Sequence, residues 1–284
     1  MPYLEARDGT RLFYKDLGTG PTVLLVHAWS LHSGMWEYQV GALRDAGYRC
    51  VAIDRRGHGR SDVPSGGFDL DSLADDLAAL IDHLVITDLA AVVAHSLGVA
   101  ETVRLLSRRP DVVVGRLVFS GTITPGMGAA AGGAAAEATI ASLRVDRPQW
   151  FRDGADAYFA LPESGISEAV VDDTFVNILQ SPLEVQEACV RTMFTLDAAA
   201  DLRRLSQPVL LLHGDRDASA PLEMTAQPTA ASLANGELKM YRGAGHGLYL
   251  THKDRYNGDV LAFFAAEQPI RESSAVPARP SAVA

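Results

Sequence analysis

Four short apolar runs, separated by longer stretches of helical period, constrain this chain more than any other feature of it. TVLLVH (22–27), YRCVAID (48–54), LAAVVAH (89–95) and GRLVFSG (115–121) have strand length and are apolar nearly throughout, the pattern of strands buried on both faces. Between them, residues 36–46 place Tyr38, Val40, Leu43 and Ala46 at helical spacing. SLADDLAALIDHL (72–84) puts Leu73, Leu77, Leu80, Ile81 and Leu84 on one face, and VAETVRLLSRR begins just past the third run. Strand and helix in alternation make βαβ units, and these imply an α/β fold with a mostly parallel central sheet and helices on both faces. Ahead of them, YLEA and RLFYKDL flank Asp8-Gly9, which reads as a hairpin.

The rhythm breaks after Ser120. Residues 125–138 (PGMGAAAGGAAAEA) are low in complexity and expected to be mobile. Residues 139–205 read as helices only, through TIASLRV, WFRDGADAYFAL, SEAVVDDTFVNILQ and EVQEACVRTMFTL. The strand pattern returns in PVLLLHG (208–214) and ELKMYRG (237–243), followed by a last helix, NGDVLAFFAAEQ. The expected organisation is a core of 1–121 and 206–268, a helical cap of 122–205 inserted after the sixth strand, and a disordered tail of 269–284, rich in Pro, Ala and Ser.

Composition narrows the function classes. A length of 284 residues suits one large domain with an insertion. Two cysteines, Cys50 and Cys189, make no disulfide framework, so a reducing, cytoplasmic location is expected. The N-terminus MPYLEARDGT lacks the basic and apolar regions of a signal peptide, and no run approaches a membrane span. The formal net charge of −10 argues against nucleic acid as a partner.

Chemistry enters at AVVAHSLGVAETVRLL (91–106). Ser96 stands between an apolar strand run and an amphipathic helix, in the pattern Ala94-His95-Ser96-Leu97-Gly98. Such a corner lifts a serine Oγ out of the sheet and offers the helix's unpaired N–H groups to a developing oxyanion. It is the logic of the G-x-S-x-G turn, with alanine in place of the first glycine. A serine there also suits a plain N-cap, so the corner by itself leaves both readings open.

A nucleophilic serine needs a base, and the base needs an orienting acid, in the chain order serine, acid, histidine. After PVLLLHG come Asp215-Arg216-Asp217, and after ELKMYRG comes Ala244-Gly245-His246-Gly247. Both follow strand ends, where open α/β sheets bind ligands. Only His246 and His252 lie beyond the acid loop, and His252 sits in a polar, helix-like run that reads as solvated surface. Asp217 is favoured over Asp215, which reads as capping its own turn. His95 is read as packing behind the corner, since successive residues there point apart. His32, His58 and His83 read as turn or helix-surface residues. His27 and His213, at strand ends, are candidates for hydrogen bonds to nearby loop backbone. The oxyanion donors are expected to be the backbone N–H groups of Leu97 and Trp29.

At this point the chain resembles the α/β-hydrolases, in the branch of cofactor-free haloperoxidases, perhydrolases and aryl esterases. The resemblance rests on LLVHAWSLHSGMWEYQ (24–39), AIDRRGHGRSD (52–62), VVAHSLG (92–98), LLLHGDRDASAP (211–221) and GAGHGLYLTH (243–252), and spans about 1–265. It implies an α/β-hydrolase fold, a triad of Ser96, Asp217 and His246, and an oxyanion hole at Trp29 and Leu97. The turn Asp54-Arg55-Arg56-Gly57-His58-Gly59 matches a family turn and carries no assigned chemistry. Three places depart from the family: His27-Ala28 replaces His-Gly, Ala94 and Val99 replace glycines, and His95-Ser96-Leu97 stands where close haloperoxidase-like members have Phe-Ser-Met.

The expected activity is hydrolysis of a carboxylic ester or lactone, small to medium and largely apolar, through an acyl-enzyme. Trp29, Leu97, Trp150, Phe151, Tyr158, Phe159, Phe175 and Leu248 are candidate pocket walls. No cofactor is called for: H-E-x-x-H, a P-loop and the dinucleotide glycine spacing are all missing, and the histidines lack metal-ligand spacing. Two other readings remain open. One is a cofactor-free non-hydrolytic enzyme on the same fold, such as an oxygenase, carbon–carbon hydrolase or cyclase. The other is a receptor-like ligand binder. A homo-oligomer is compatible with the resemblance, though no interface is legible.

Overall fold

The computed structural model describes residues 2–126 and 132–266. Strands β1 (Tyr3–Glu5) and β2 (Arg11–Leu17) form the hairpin. β3 (Thr22–Val26) is buried at every residue, as its apolar sequence requires. The parallel part continues with β4 (Arg49–Ile53), β5 (Asp88–His95), β6 (Val113–Ser120), β7 (Val209–Gly214) and β8 (Gly236–Tyr241). The sheet order is β1-β2-β4-β3-β5-β6-β7-β8, with antiparallel pairing only at β1–β2 and β2–β4. The chain runs from β3 out to β4 and then returns past β3 to β5. That reversal leaves a crevice at the C-terminal ends of β3 and β5.

Helices α1 (Glu37–Asp45), α2 (Leu70–His83) and α3 (Leu97–Arg108) cross between these strands. Asp69 caps α2 by accepting from Ser72 N–H, and the leucine stripe of α2 is buried. Between β6 and β7 the described chain is helical: α4 (Gly132–Val145), α5 (Arg147–Asp153), α6 (Ala155–Phe159), α7 (Glu168–Leu179), α8 (Leu183–Thr195) and α9 (Ala199–Leu202). Helices α10 (Ala226–Ser232), α11 (Leu248–Thr251) and α12 (Lys253–Ala265) complete the described chain.

Part of the segment expected to be mobile is helical. From Gly132 it belongs to α4, whose alanines favour helix and whose Ala136, Ile140 and Leu143 are buried. Residues 127–131 and the tail 269–284 lie outside the described residues. The last helix starts earlier than its apolar pattern, at Lys253, because polar residues fill its first turn. Its flanking residue His252 is half-buried against Tyr241 and bonded to Thr251 Oγ1 (2.9 Å), so it is only partly solvated. Among the described residues, no helix is long and apolar enough to cross a membrane.

Candidate active site

β5 ends at His95 and α3 starts at Leu97, so Ser96 alone turns the chain. It does so at φ 55°, ψ −119°, a conformation that residues with a side chain rarely adopt. Hydrogen bonds hold it there. Ser96 N–H donates to Ser120 O, and Val99 N–H donates to Ser96 O, both at 3.0 Å. Gly98 lets the helix start approach β3, since a Cβ there would lie 2.5 Å from Val26 O and 2.8 Å from His27 O. Ala28 and Ala94, standing where the family has glycine, are both buried. Ser96 precedes a helix, yet its side chain makes no capping hydrogen bond and instead lines a cavity.

His246 lines the same cavity. Its Nδ1 lies 2.7 Å from Asp217 Oδ2. An ionised carboxylate only accepts, so Nδ1 carries a proton, and Nε2 is the ring nitrogen left to exchange one. Asp217 also accepts from Ala220 N–H at 2.8 Å, and His213 Nε2 stands 3.5 Å from Oδ2. Burial pushes the Asp217 carboxyl up, but the charge and hydrogen bond of His246 outweigh it, leaving the pKa below the usual carboxylate value. Asp215 does not cap its own turn. Its Oδ1 accepts from Gly243 N–H (2.7 Å), tying the loop after β7 to the loop after β8.

The neighbouring histidines are buried. His95 turns away from the cavity, with Nδ1 2.8 Å from Ser120 Oγ and its ring 4.7 Å from that of His246. Burial holds its pKa well below the ordinary value, so a neutral ring lies beside His246. His213 Nε2–H donates to Ala220 O (2.8 Å), and His27 Nδ1–H donates to Ala28 O (2.7 Å). His32 reaches Asn177 Oδ1 of α7 at 2.9 Å, a contact between sheet loop and helical layer that its position in a turn did not reveal.

The cavity measures about 250 Å³. Trp29, Trp150, Phe151, Tyr158, Phe159 and Phe175 all line it. Leu97 and Leu248 do not. Both are fully buried in the core, one on each side of the sheet. The lining also includes Leu31, Ile123, Val190, Met193 and Phe194, which sequence reasoning missed. An aliphatic residue on a helix face carries no sign of whether it meets another side chain or an opening. Among the described residues, the lining contains no Asp, Glu, Lys or Arg.

Leu97 opens α3, so its N–H has no carbonyl one turn back. Trp29 follows β3, the strand beside β5. The helical layer touches the histidine loop directly. Gly247 N–H donates to Tyr158 O (2.8 Å), and a Cβ on Gly245 would lie 2.5 Å from Ala157 O and Tyr158 O. No cluster of three His, Cys, Asp or Glu able to hold a metal ion occurs among the described residues.

Residues 23–259 match the sequence profile of the alpha/beta hydrolase family. The chain belongs to that family. This alpha/beta hydrolase is 33% identical over 273 residues to a non-heme chloroperoxidase of Kitasatospora aureofaciens, covering 93% of this chain and 99% of that protein. It is 32% identical over 274 residues to a bifunctional esterase/perhydrolase of Acinetobacter calcoaceticus, with the same coverage. Among solved structures, the alpha/beta hydrolase superposes on a bromoperoxidase from Bacillus anthracis with a TM-score of 0.87 at 28% identity, over 93% of this chain and 100% of that one. These relatives lie in the branch that the sequence resembles, and the chain is an enzyme of hydrolase type.

Proposed function

We propose that the protein is a serine hydrolase that cleaves a carboxylic ester or lactone through an acyl-enzyme. The observation that carries this reading is the strained, uncapped Ser96 opening on the same cavity as an Asp217-bound His246. In the reaction, His246 Nε2 takes the Ser96 proton while Oγ bonds to the substrate carbonyl carbon. The carbonyl π pair moves onto oxygen, where the N–H groups of Trp29 and Leu97 hold it. The oxyanion collapses, the C–O bond to the leaving group breaks, and that oxygen takes the proton from His246. Water then loses a proton to Nε2 and attacks the acyl carbon. A second collapse releases the acid and returns the proton to Ser96.

The wall chemistry supports an uncharged, small to medium, largely apolar substrate. A cavity of about 250 Å³ lies just under the roughly 300–1,000 Å³ of sites for drug-sized ligands. A charged group buried there would meet no carboxylate, lysine or arginine among the described residues, at a large desolvation cost. Residues 122–205 would act as the cap that excludes bulk water.

The test is intact mass after exposure to a fluorophosphonate, with Ser96→Ala and His246→Ala alongside. One adduct on the wild type is expected, absent in Ser96→Ala and strongly slowed in His246→Ala. No adduct on folded wild type would overturn the reading in favour of non-hydrolytic chemistry or ligand binding.

A further inference from the structure

The turn after β4 contains two adjacent arginines with different destinations. Arg56 faces outward from the site: Nε and Nη2 bind the Asp76 carboxylate of α2, both at 2.6 Å, and Nη1 binds Asp8 at 2.7 Å. Arg55 runs into the floor beneath the cavity. Its side chain is 3% exposed, and Nε donates to Glu101 of α3, itself 2% exposed. Nη2 donates to His27 O (2.7 Å) and Nη1 to Ala28 O (3.1 Å). The imidazole of His27 completes the arrangement. Arg55 backbone N–H donates to Nε2 at 2.8 Å, so the ring proton is on Nδ1, which donates to Ala28 O. Burial first, and then the Arg55 charge, hold the His27 pKa well below the ordinary value, which agrees with this neutral form.

One guanidinium therefore grips both carbonyls that lead into Trp29, and its anchor stands on the helix that Ser96 begins. A trans peptide unit is planar, so a carbonyl and the following N–H point in opposite directions. Turning Ala28 O toward Arg55 turns Trp29 N–H away from it. Ala28 and Trp29 both line the cavity, and among the described residues Trp29 N–H has no acceptor. The next residue, Ser30, sits at φ 62°, so the loop is held in a turn that a serine does not favour by itself.

We propose that Arg55 is a positioning residue that aims the Trp29 N–H at the reacting oxygen, with Glu101 as its anchor on the nucleophile helix. The proposal rests on the acyl-transfer reading above. Lysine does not substitute, because only a planar fork reaches two carbonyls and a carboxylate together. A buried ion pair is by itself weak evidence for a stabilising role, since apolar residues of similar size often replace one without loss.

The full-length protein is tested with a short-chain nitrophenyl ester as substrate and an alkyl boronic acid as tetrahedral inhibitor. Arg55→Met/Glu101→Leu removes the grip without leaving a lone buried charge. Arg56→Met/Asp76→Leu perturbs the neighbouring pair equally and is the control. The Arg55 pair variant is expected to lose about 100-fold in kcat with KM within about threefold, and boronate affinity falls in parallel. The Arg56 pair variant is expected to keep kcat within about threefold. If the Arg55 pair variant does not fold, Arg55→Lys decides, with an expected loss of about tenfold or more in kcat at unchanged KM. Equal losses in both pair variants, or wild-type kcat in a folded Arg55 variant, would overturn this inference and leave the hydrolase reading intact. A wild type without turnover or fluorophosphonate adduct would overturn both.

Discussion

Below the cavity, Arg55, Glu101, Asp217 and four histidines (His27, His95, His213 and His246) are buried, and each has a hydrogen-bond partner. Above it, α5 to α7 present Trp150, Phe151, Phe159 and Phe175, while charges such as Arg152 and Asp172 pair on the outside. The two halves obey different physics. A buried polar group must keep its partners, so the floor tolerates little change in geometry. Apolar contact has no direction, so the roof tolerates a change of shape. Changes to the floor should therefore act on kcat, and changes to the roof on substrate preference.

The largest effect expected is that of Ser96→Ala, a loss of about 10⁴- to 10⁶-fold in kcat toward a small apolar ester. Residual turnover near the wild-type value would remove Ser96 from the chemistry. Asp217→Asn comes next, with a loss of about 10³- to 10⁴-fold, because an amide no longer holds the proton on Nδ1. Asp215→Asn is the paired control and should stay within about tenfold, acting only through its bond to Gly243. If the two asparagine variants fell equally, the acid assignment would be undone.

In the roof, Phe175→Leu should shift the ratio of kcat/KM values toward bulkier acyl chains by about tenfold and change kcat little. A loss of kcat as large as that of the floor variants, without a shift in preference, would break the contrast. The last effect is on stability and not on turnover. Burial, then the Arg55 charge, bring the His58 pKa from 6.5 to about 3, and burial also lowers His27, His95 and His213. Below pH 6.5 the unfolded chain binds protons that the native floor refuses. Stability is thus fullest above that value and falls as pH drops toward 3, by up to ~1.4 kcal/mol per pH unit for each such histidine. Urea midpoints at pH 7.5, 6 and 5 measure it, and a rise toward acid would contradict the burial of neutral imidazoles.

The floor and the roof were not equally legible in the sequence. β3, β5 and β7 announce themselves as apolar runs because both faces of a central strand are covered. Ser96, the acid loop and His246 are readable because each follows such a run. Helix α10 was not, since AQPTAAS has no apolar period and contains Pro228. The start of α4 resembles a linker by composition, and its buried face arises from packing, mainly on α8. Asp215 and Asp217 lie two positions apart, and only the path of the loop decides which one meets His246. Arg55 was the least legible of all. In sequence it belongs to a turn, and its contacts depend on that turn ending beside a loop nearly thirty residues earlier.

The backbone bond from Gly247 to Tyr158 O makes the histidine loop and α6 an interlock. A ligand that lifted α6 to gain access would pull the imidazole out of line as it passed. One that slipped in while α6 stayed seated would find the base already aimed. On the acyl-transfer reading, opening the enzyme at that helix would disarm it in the same movement, a safety catch against reacting with the door ajar.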